Sequence, residues 1–313
     1  MKLGLVYDLR DDYLALGFSE EQTAEFDSRA TIDALDGALG QLGWDVVFSI
    51  AEGLHGRSRE AQVPALCEMF DQPYAFSDPL TMAVTLDKPV AKRIVRDSGI
   101  PTADFAIISD AGIPLPEIAF PAFLKPIAEG TGKGCGGRSK VSNKAELKRE
   151  AARLIEKFQQ PVIAETYLEG REFTVGIVGN GASARVIAVL EIAVKPDADS
   201  GIYSYEIKEN WEPFVTLSLA DDAEARLAGK RALAAYHALG CRDAARVDLK
   251  SDGLRSPQFL EVNPIAGLHP THSDLPILTV KAGYTYDWLI GEIAASACAR
   301  YGLTFPETGV RAA

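Results

Sequence analysis

No apolar run in the 313 residues approaches the ~20 needed to cross a bilayer, so nothing in the sequence reads as a membrane anchor. Positive charge is in deficit: 32 Lys and Arg stand against 44 Asp and Glu, a net charge of −12. A field of that sign repels phosphate, which argues against non-specific binding of nucleic acid or anionic lipid. Any phosphate site must be a local basic cluster. Cysteine is scarce, and Cys67, Cys135, Cys241 and Cys298 lie far apart without C-x-x-C spacing. That pattern fits reduced thiols better than a disulfide or zinc framework. Met1 leads directly into "KLGLVYD" without the cleavage region of a signal peptide, so the expected location is the cytoplasm. Internal repeats and low-complexity tracts are also missing.

What is present is an alternation of strand and helix patterns. "KLGLVYD" and "WDVVFSI" read as buried strands around a helix near Ser28 to Leu42, a βαβ unit. Helical patterns follow over Pro64 to Phe70 and over Lys88 to Asp97, the second with Asp87 as its N-cap and "GIP" as its stop. Next come strands "DFAIIS" and "PAFLK", a glycine-rich stretch, a helix opened by Asn143 and Glu146 in capping-box spacing, and the strand "PVIAETYL". "REFTVGIVGNGASARVIAVLEI" reads as a hairpin turning on Asn180-Gly181 in a type I′ turn. A long helix starting at Asp221 and Glu224 leads to two last strands, "AARVDLK" and "QFLEVN", joined around Asp252-Gly253. Three units are expected, over residues 1–88, 89–170 and 171–313.

Two constellations carry chemistry. "FLKPIAEGTGKGCGGRSKV" holds five glycines in eight positions directly after a strand. It is not a Walker A loop, because Lys133 is followed by Gly134 and no helix opens there. Taken alone, it is a phosphate cradle or a plain mobile loop. Secondly, Glu261 and Asn263 alternate with Val262 and therefore share one face of a strand, and Asp248 with Arg246 can face the same side of its neighbour. Three hard oxygen ligands then converge in a set suited to Mg²⁺; the competing reading is a surface charge pair on a hairpin. His269 and His272, three apart, lack a third soft ligand for zinc.

With these motifs in order, the chain resembles the ATP-grasp enzymes, and among them the D-alanine:D-alanine ligase family, over nearly its whole length. "LDKPVAKRIVRDSGIP", "FLKPIAEGTGKG", "PVIAETYLEGREFTVGIV", "YSYEIKE", "ARVDLK" and "FLEVNPIAGLHPTHSDLP" carry the likeness. The resemblance implies an α/β (α+β ATP-grasp) fold in which a Rossmann-like βαβ domain precedes two subdomains that hold ATP between two sheets. It also implies an ADP-forming carboxylate–amine ligase working through an acyl phosphate.

The resemblance assigns roles as well. Lys88 and Lys125 would contact the phosphates, with backbone N–H groups of Thr131, Gly132, Lys133 and Gly134 over the transferred group. Glu165 and Leu168 would meet adenine, Glu172 the ribose, and Lys208 the γ-phosphate. Asp248, Glu261 and Asn263 would hold Mg²⁺ or Mn²⁺, and Arg246 and the Gly267 N–H would stabilise the oxyanion. For the substrates the pattern departs: Glu209 follows Lys208 where relatives carry tyrosine, Thr131 takes a serine's place, and Glu25 and Asp27 straddle the N-terminal acid. Either Glu52 or His55 could face substrate. Ser273, one residue later than the usual spacing, is the expected contact for the acceptor carboxylate. The implied partners are amino acids or small carboxylates and amines, with a homodimer the usual assembly. Two alternatives stay open: a biosynthetic dipeptide or amide ligase for other amino acids, and a nucleotide-binding module without catalysis.

Overall fold

The computed structural model describes residues 4–40, 46–112, 114–130, 132–194 and 214–305. Thr131, Lys208 and Glu209 lie outside them, as does the "YSYEIKE" segment. The N-terminal strand β1 (Gly4–Val6) pairs in parallel with β2 (Val47–Ser49), and α1 (Arg10–Ala15) and α2 (Arg29–Gly40) lie between them in sequence. This is the expected βαβ unit with an additional short helix. Helices α3 (Gln62–Met69), α4 (Pro79–Leu86) and α5 (Lys88–Asp97) follow. Asp78 and Asp87 cap α4 and α5 by accepting from Thr81 N–H and Val90 N–H, and each helix has proline in its first turn.

A four-stranded antiparallel sheet comes next: β3 (Phe105–Ile108), β4 (Ala122–Pro126), β5 (Lys140–Val141) and β6 (Val162–Thr166), in the order β3-β6-β4-β5. Helix α6 (Lys144–Phe158) covers it, burying Leu147, Ala151 and Leu154 against Leu124, Val162 and Ala164. Its start follows the expected chemistry with one shift. Asn143 accepts from Ala145 N–H and Glu146 N–H, while the Glu146 carboxylate reaches back to Ser142 N–H.

The larger sheet holds β7 (Glu172–Val178), β8 (Arg185–Val194), β9 (Val215–Leu219), β10 (Ala244–Ser251) and β11 (Pro257–Asn263) in the order β11-β10-β7-β8-β9. Its buried face packs on α7 (Ala223–Ala238) and on Ala91 and Val95 of α5, around the fully buried Phe173, Phe259 and Tyr236. Helices α8 (Asp274–Lys281) and α9 (Tyr286–Arg300) close the other side, where α9 joins the N-terminal core around Phe48 and Phe76.

Two expectations are corrected. The β7–β8 connection is not a type I′ turn. Asn180 has φ −125°, whereas type I′ needs positive φ at both central residues, and the chain instead makes a 3₁₀ turn over Gly181–Ser183. A distant partner wins here. The Asn180 amide donates to Asp243 Oδ1 and to Ser296 O, and its oxygen accepts from Asp243 N–H, so its side chain serves tertiary structure while its backbone pairs with Ser183 across the turn. Helix α7 begins at Ala223, two residues after Asp221, and is capped by Asp222, whose carboxylate accepts from Glu224 N–H and Ala225 N–H.

Candidate active site

The two sheets face each other across a cavity of about 130 Å³, lined from one side by Lys125 of β4 and Glu165 of β6, and from the other by Glu172, Asp248 and Glu261. Lys88 is placed by its position. As the first residue of α5, behind the Asp87 cap, it donates its own N–H to Ile127 O at 3.1 Å and its ammonium to the carbonyl of Glu129. Its Nζ also stands 3.4 Å from Glu261 Oε2, so one lysine joins helix, glycine loop and β11. One helical turn on, Lys92 is fully buried and donates to Thr102 Oγ1 (2.8 Å) and Phe259 O (3.0 Å). Burial lowers it to about 8, against the pull of Glu165. Sequence reading passed over Lys92, although its i+4 spacing from Lys88 was the available signal.

Glu165 sits between two ammonium groups, 3.2 Å from Lys92 and 3.4 Å from Lys125. Burial alone would raise its carboxyl, but Lys125 and then Lys92 outweigh burial and hold it below its ordinary value. Its buried Oε1 faces the Lys92 ammonium and its Oε2 the Lys125 ammonium. Leu168 and Glu172 line the same cavity. Glu172 is already engaged by Lys250 at 2.7 Å, its directly opposed neighbour on β10.

The glycine loop lies between this cavity and a second one. Gly134 has φ +77°, and a Cβ there would meet Pro126 and Phe158 at 2.9 Å. At Gly130 a Cβ would fall 2.5 Å from Glu25 Oε1, whose carboxylate accepts the Gly130 N–H. The other oxygen of Glu25 accepts from Arg59 Nη2 at 2.9 Å and lies 3.3 Å from Lys133 Nζ. Lys133 in turn bridges to Glu129 at 2.7 Å, and Arg59 donates to Ala128 O at 2.8 Å. Burial raises the Glu25 carboxyl, yet Arg59 and Lys133 prevail and hold it below its ordinary value. The loop is thus tied to the N-terminal segment by a buried ion network that composition and spacing did not reveal.

Opposite it, β10 and β11 bring the expected metal ligands together. Asp248 pairs in register with Glu261, and Arg246 with Asn263, so the four side chains share a face. The Asp248 carboxylate accepts from Arg246 Nη2 (2.9 Å) and Nε, from Asn263 Nδ2 (3.3 Å) and from the Thr174 hydroxyl of β7. Arg246 Nη1 lies 3.4 Å from Asp274. Burial disfavours the guanidinium charge, and Asp248 and Asp274 more than compensate. With its amide N–H₂ turned to Asp248, Asn263 has its oxygen left as a donor to metal beside two carboxylates. Hard oxygens with only two negative charges fit a divalent cation that keeps part of its water.

The second cavity, about 350 Å³, runs from these residues to the N-terminal segment and is lined by Arg246, Asn263, Gly267 and Ser273 on one wall and by Glu25, Asp27, Glu52 and Glu60 on the other. Ser273 is the N-cap residue of α8, and its hydroxyl accepts from His269 N–H at 3.1 Å. Between Glu52 and His55, it is Glu52 that lines this cavity; His55 is exposed and lines a separate one of about 310 Å³. Burial and nearby Asp8 push Asp27 up to about 7.

The family model "D-ala D-ala ligase C-terminus" matches residues 94–295, more than half of the chain. A D-alanine–D-alanine ligase of Marinomonas is 32% identical over 294 residues, covering 92% of this chain and 88% of its own. The uncharacterized protein y4sG of Sinorhizobium fredii is 32% identical over 259 residues, covering 82% and 75%. Among solved structures, the D-alanine–D-alanine ligase of Bacillus anthracis in complex with ATP superposes with a TM-score of 0.68 at 21% identity, covering 96% of this chain and 99% of that one. The fold is therefore ATP-grasp, and the chain belongs to the D-alanine–D-alanine ligase family.

Proposed function

We propose that the protein is an ADP-forming ligase that joins the carboxylate of one amino acid to the amine of another at the expense of ATP. The observation that carries this reading is the continuity of the two cavities. Lys88, Glu129 and Glu261 line both, so a nucleotide in the smaller cavity would present its terminal phosphate to a carboxylate in the larger one. The substrate carboxylate oxygen attacks the γ-phosphorus and the bond to the β-phosphate oxygen breaks, releasing ADP. The amine nitrogen of the second substrate then attacks the acyl carbon, loses a proton, and inorganic phosphate leaves with the carbonyl–oxygen bond electrons.

Each residue role belongs to this proposal. Lys88, Lys125 and the N–H groups of Thr131 to Gly134 bind phosphate. Glu165, Leu168 and Glu172 bind the nucleoside, and Lys208 approaches the γ-phosphate. Arg246 and the Gly267 N–H face the oxyanion, where preorganised donors act more strongly than in water. Glu25, Asp27, Glu209 and Ser273 surround the substrates. A divalent cation, Mg²⁺ with Mn²⁺ as the alternative, would be held by Asp248, Glu261 and Asn263 and would neutralise phosphate charge. The division into residues 1–88, 89–170 and 171–313 is supported by the three sheets, one of which falls within each range. A homodimer in the cytoplasm completes the reading.

The alternative of a binding module without catalysis is disfavoured by Arg246, which sits half-buried beside Asp248 and lines the larger cavity, where nucleotide binding alone does not need it. Purified protein supplied with amino acids should release ADP only with a divalent cation. A Glu261→Ala, Asn263→Ala double variant should need at least about tenfold more Mg²⁺ for half-maximal rate. Unchanged magnesium dependence would refute the ligand assignment.

A further inference from the structure

Strand β11 is an edge of the larger sheet, and its ladder with β10 is irregular beside the metal ligands. Asp248 pairs with Glu261 but Leu249 pairs with Phe259, so Leu260 is an extra residue on β11. In a regular strand Phe259 and Glu261, two apart, would share a face. The bulge separates them: Phe259 is fully buried in the core with Val262, while Glu261 lines both cavities. The direction of Glu261 therefore depends on the bulge being held.

What holds it comes from beyond the sheet edge. Phe259 N–H donates to Pro101 O at 2.8 Å, and Phe259 O accepts from the Thr102 hydroxyl at 2.7 Å and from Lys92 Nζ at 3.0 Å. The Lys92 ammonium also donates to Thr102 Oγ1 at 2.8 Å and stands 3.2 Å from Glu165 Oε1, so its three protons meet three oxygens. These oxygens belong to the segment before β3, to β11 and to β6. One charge thus ties the strand that carries Glu261 to the strand that carries Glu165. Lys92 is fully buried and lines neither cavity, so it reaches no ligand itself. An apolar side chain of the same length would fill that space without desolvating a charge, and what the ammonium adds is a fixed geometry among its acceptors. It also shares the Glu165 carboxylate with Lys125, which lines the smaller cavity.

We propose that Lys92 is a positioning residue for the ligation: through the Phe259 carbonyl it keeps the β11 bulge that aims Glu261 at the proposed metal site, and through Glu165 it keeps Lys125 available to phosphate. This rests on the ligase reading and deepens it, because it assigns part of the nucleotide and metal affinity to a side chain that touches neither.

The test is titration calorimetry of ATP at a series of Mg²⁺ concentrations, without amino acid, on wild type, Lys92→Met, Glu261→Ala and the double variant. Lys92→Met should weaken ATP binding at saturating Mg²⁺ by about tenfold or more and raise the Mg²⁺ midpoint by a similar factor. In the Glu261→Ala background the same substitution should no longer move the midpoint, because the residue through which it acts is gone. An unchanged midpoint, or an equal shift in both backgrounds, would mean that Lys92 serves the fold alone and would overturn the inference. If Lys92→Met does not fold, Thr102→Val, which removes the second donor to Phe259 O, decides. A midpoint raised about threefold or more in wild type and unmoved in Glu261→Ala supports the inference, and an unchanged midpoint or an equal shift overturns it. Wild type that binds no ATP removes the ligase reading together with this inference, whereas ATP binding that Lys92→Met leaves unaltered removes the inference alone.

Discussion

Arg246 is gripped by Asp248 through Nε and Nη2 and approached by Asp274 at Nη1. A guanidinium fixed in this way loses little freedom when charge develops beside it, which is what an oxyanion donor requires. Arg246→Ala should therefore lower kcat by ~10² to 10³ while leaving ATP affinity within a few-fold. A variant with normal kcat and only a raised KM would contradict the role. Asp27 gives a second expectation through pH. Its folded-state pKa of about 7 lies above the ~3.9 of an unfolded chain, so its protonated form contributes stability that is full below pH ~4 and is lost as pH rises through 7. Asp27→Asn removes that loss. Thermal unfolding of both proteins should give the variant a Tm advantage of roughly a few °C at pH 8 that shrinks toward pH 4.5; an advantage independent of pH would show that Asp27 does not titrate in this range.

At the scale of elements, the glycine loop is positioned less by its own flexibility than by what holds it. Glu25 accepts the Gly130 N–H, and Arg59 and Lys133 fix Glu25. A methyl group at Gly130 would collide with that carboxylate, so Gly130→Ala should raise the KM for ATP by about tenfold and speed hydrogen exchange across residues 128–134. Unchanged exchange would mean that the tether does not order the loop. Much at this scale was legible beforehand, because it is written in local spacing. Asp87 and Asn143 stand where caps belong, and the alternation of Glu261, Val262 and Asn263 puts two ligands on one face with Asp248 opposite. The unread parts depend on partners far away in sequence. The Asn180 side chain turns to Asp243, Arg59 reaches back to Glu25, and Lys92 finds its acceptor at Phe259. Nothing in a linear pattern announces a contact of that kind, and the start of α7 at Ala223, two residues past Asp221, marks the usual uncertainty at element ends.

For the molecule as a whole, the larger sheet, the smaller sheet and the N-terminal βαβ unit each supply one wall to two adjoining cavities. Lys125 and Lys133 line the smaller one, Lys88 lines both, and Glu25, Asp27, Glu52 and Glu60 line the far end of the larger. In the proposed reaction that layout would bring a carboxylate to the terminal phosphate and an amine to the activated carbon, the order of events in a ligation through an acyl phosphate. The decisive measurement uses an amino-acid substrate whose carboxylate carries heavy oxygen, incubated with the protein, ATP and Mg²⁺, followed by mass analysis of the phosphate released. The account predicts one heavy oxygen atom transferred into inorganic phosphate for each peptide bond formed. Phosphate released without heavy oxygen from the substrate would contradict it.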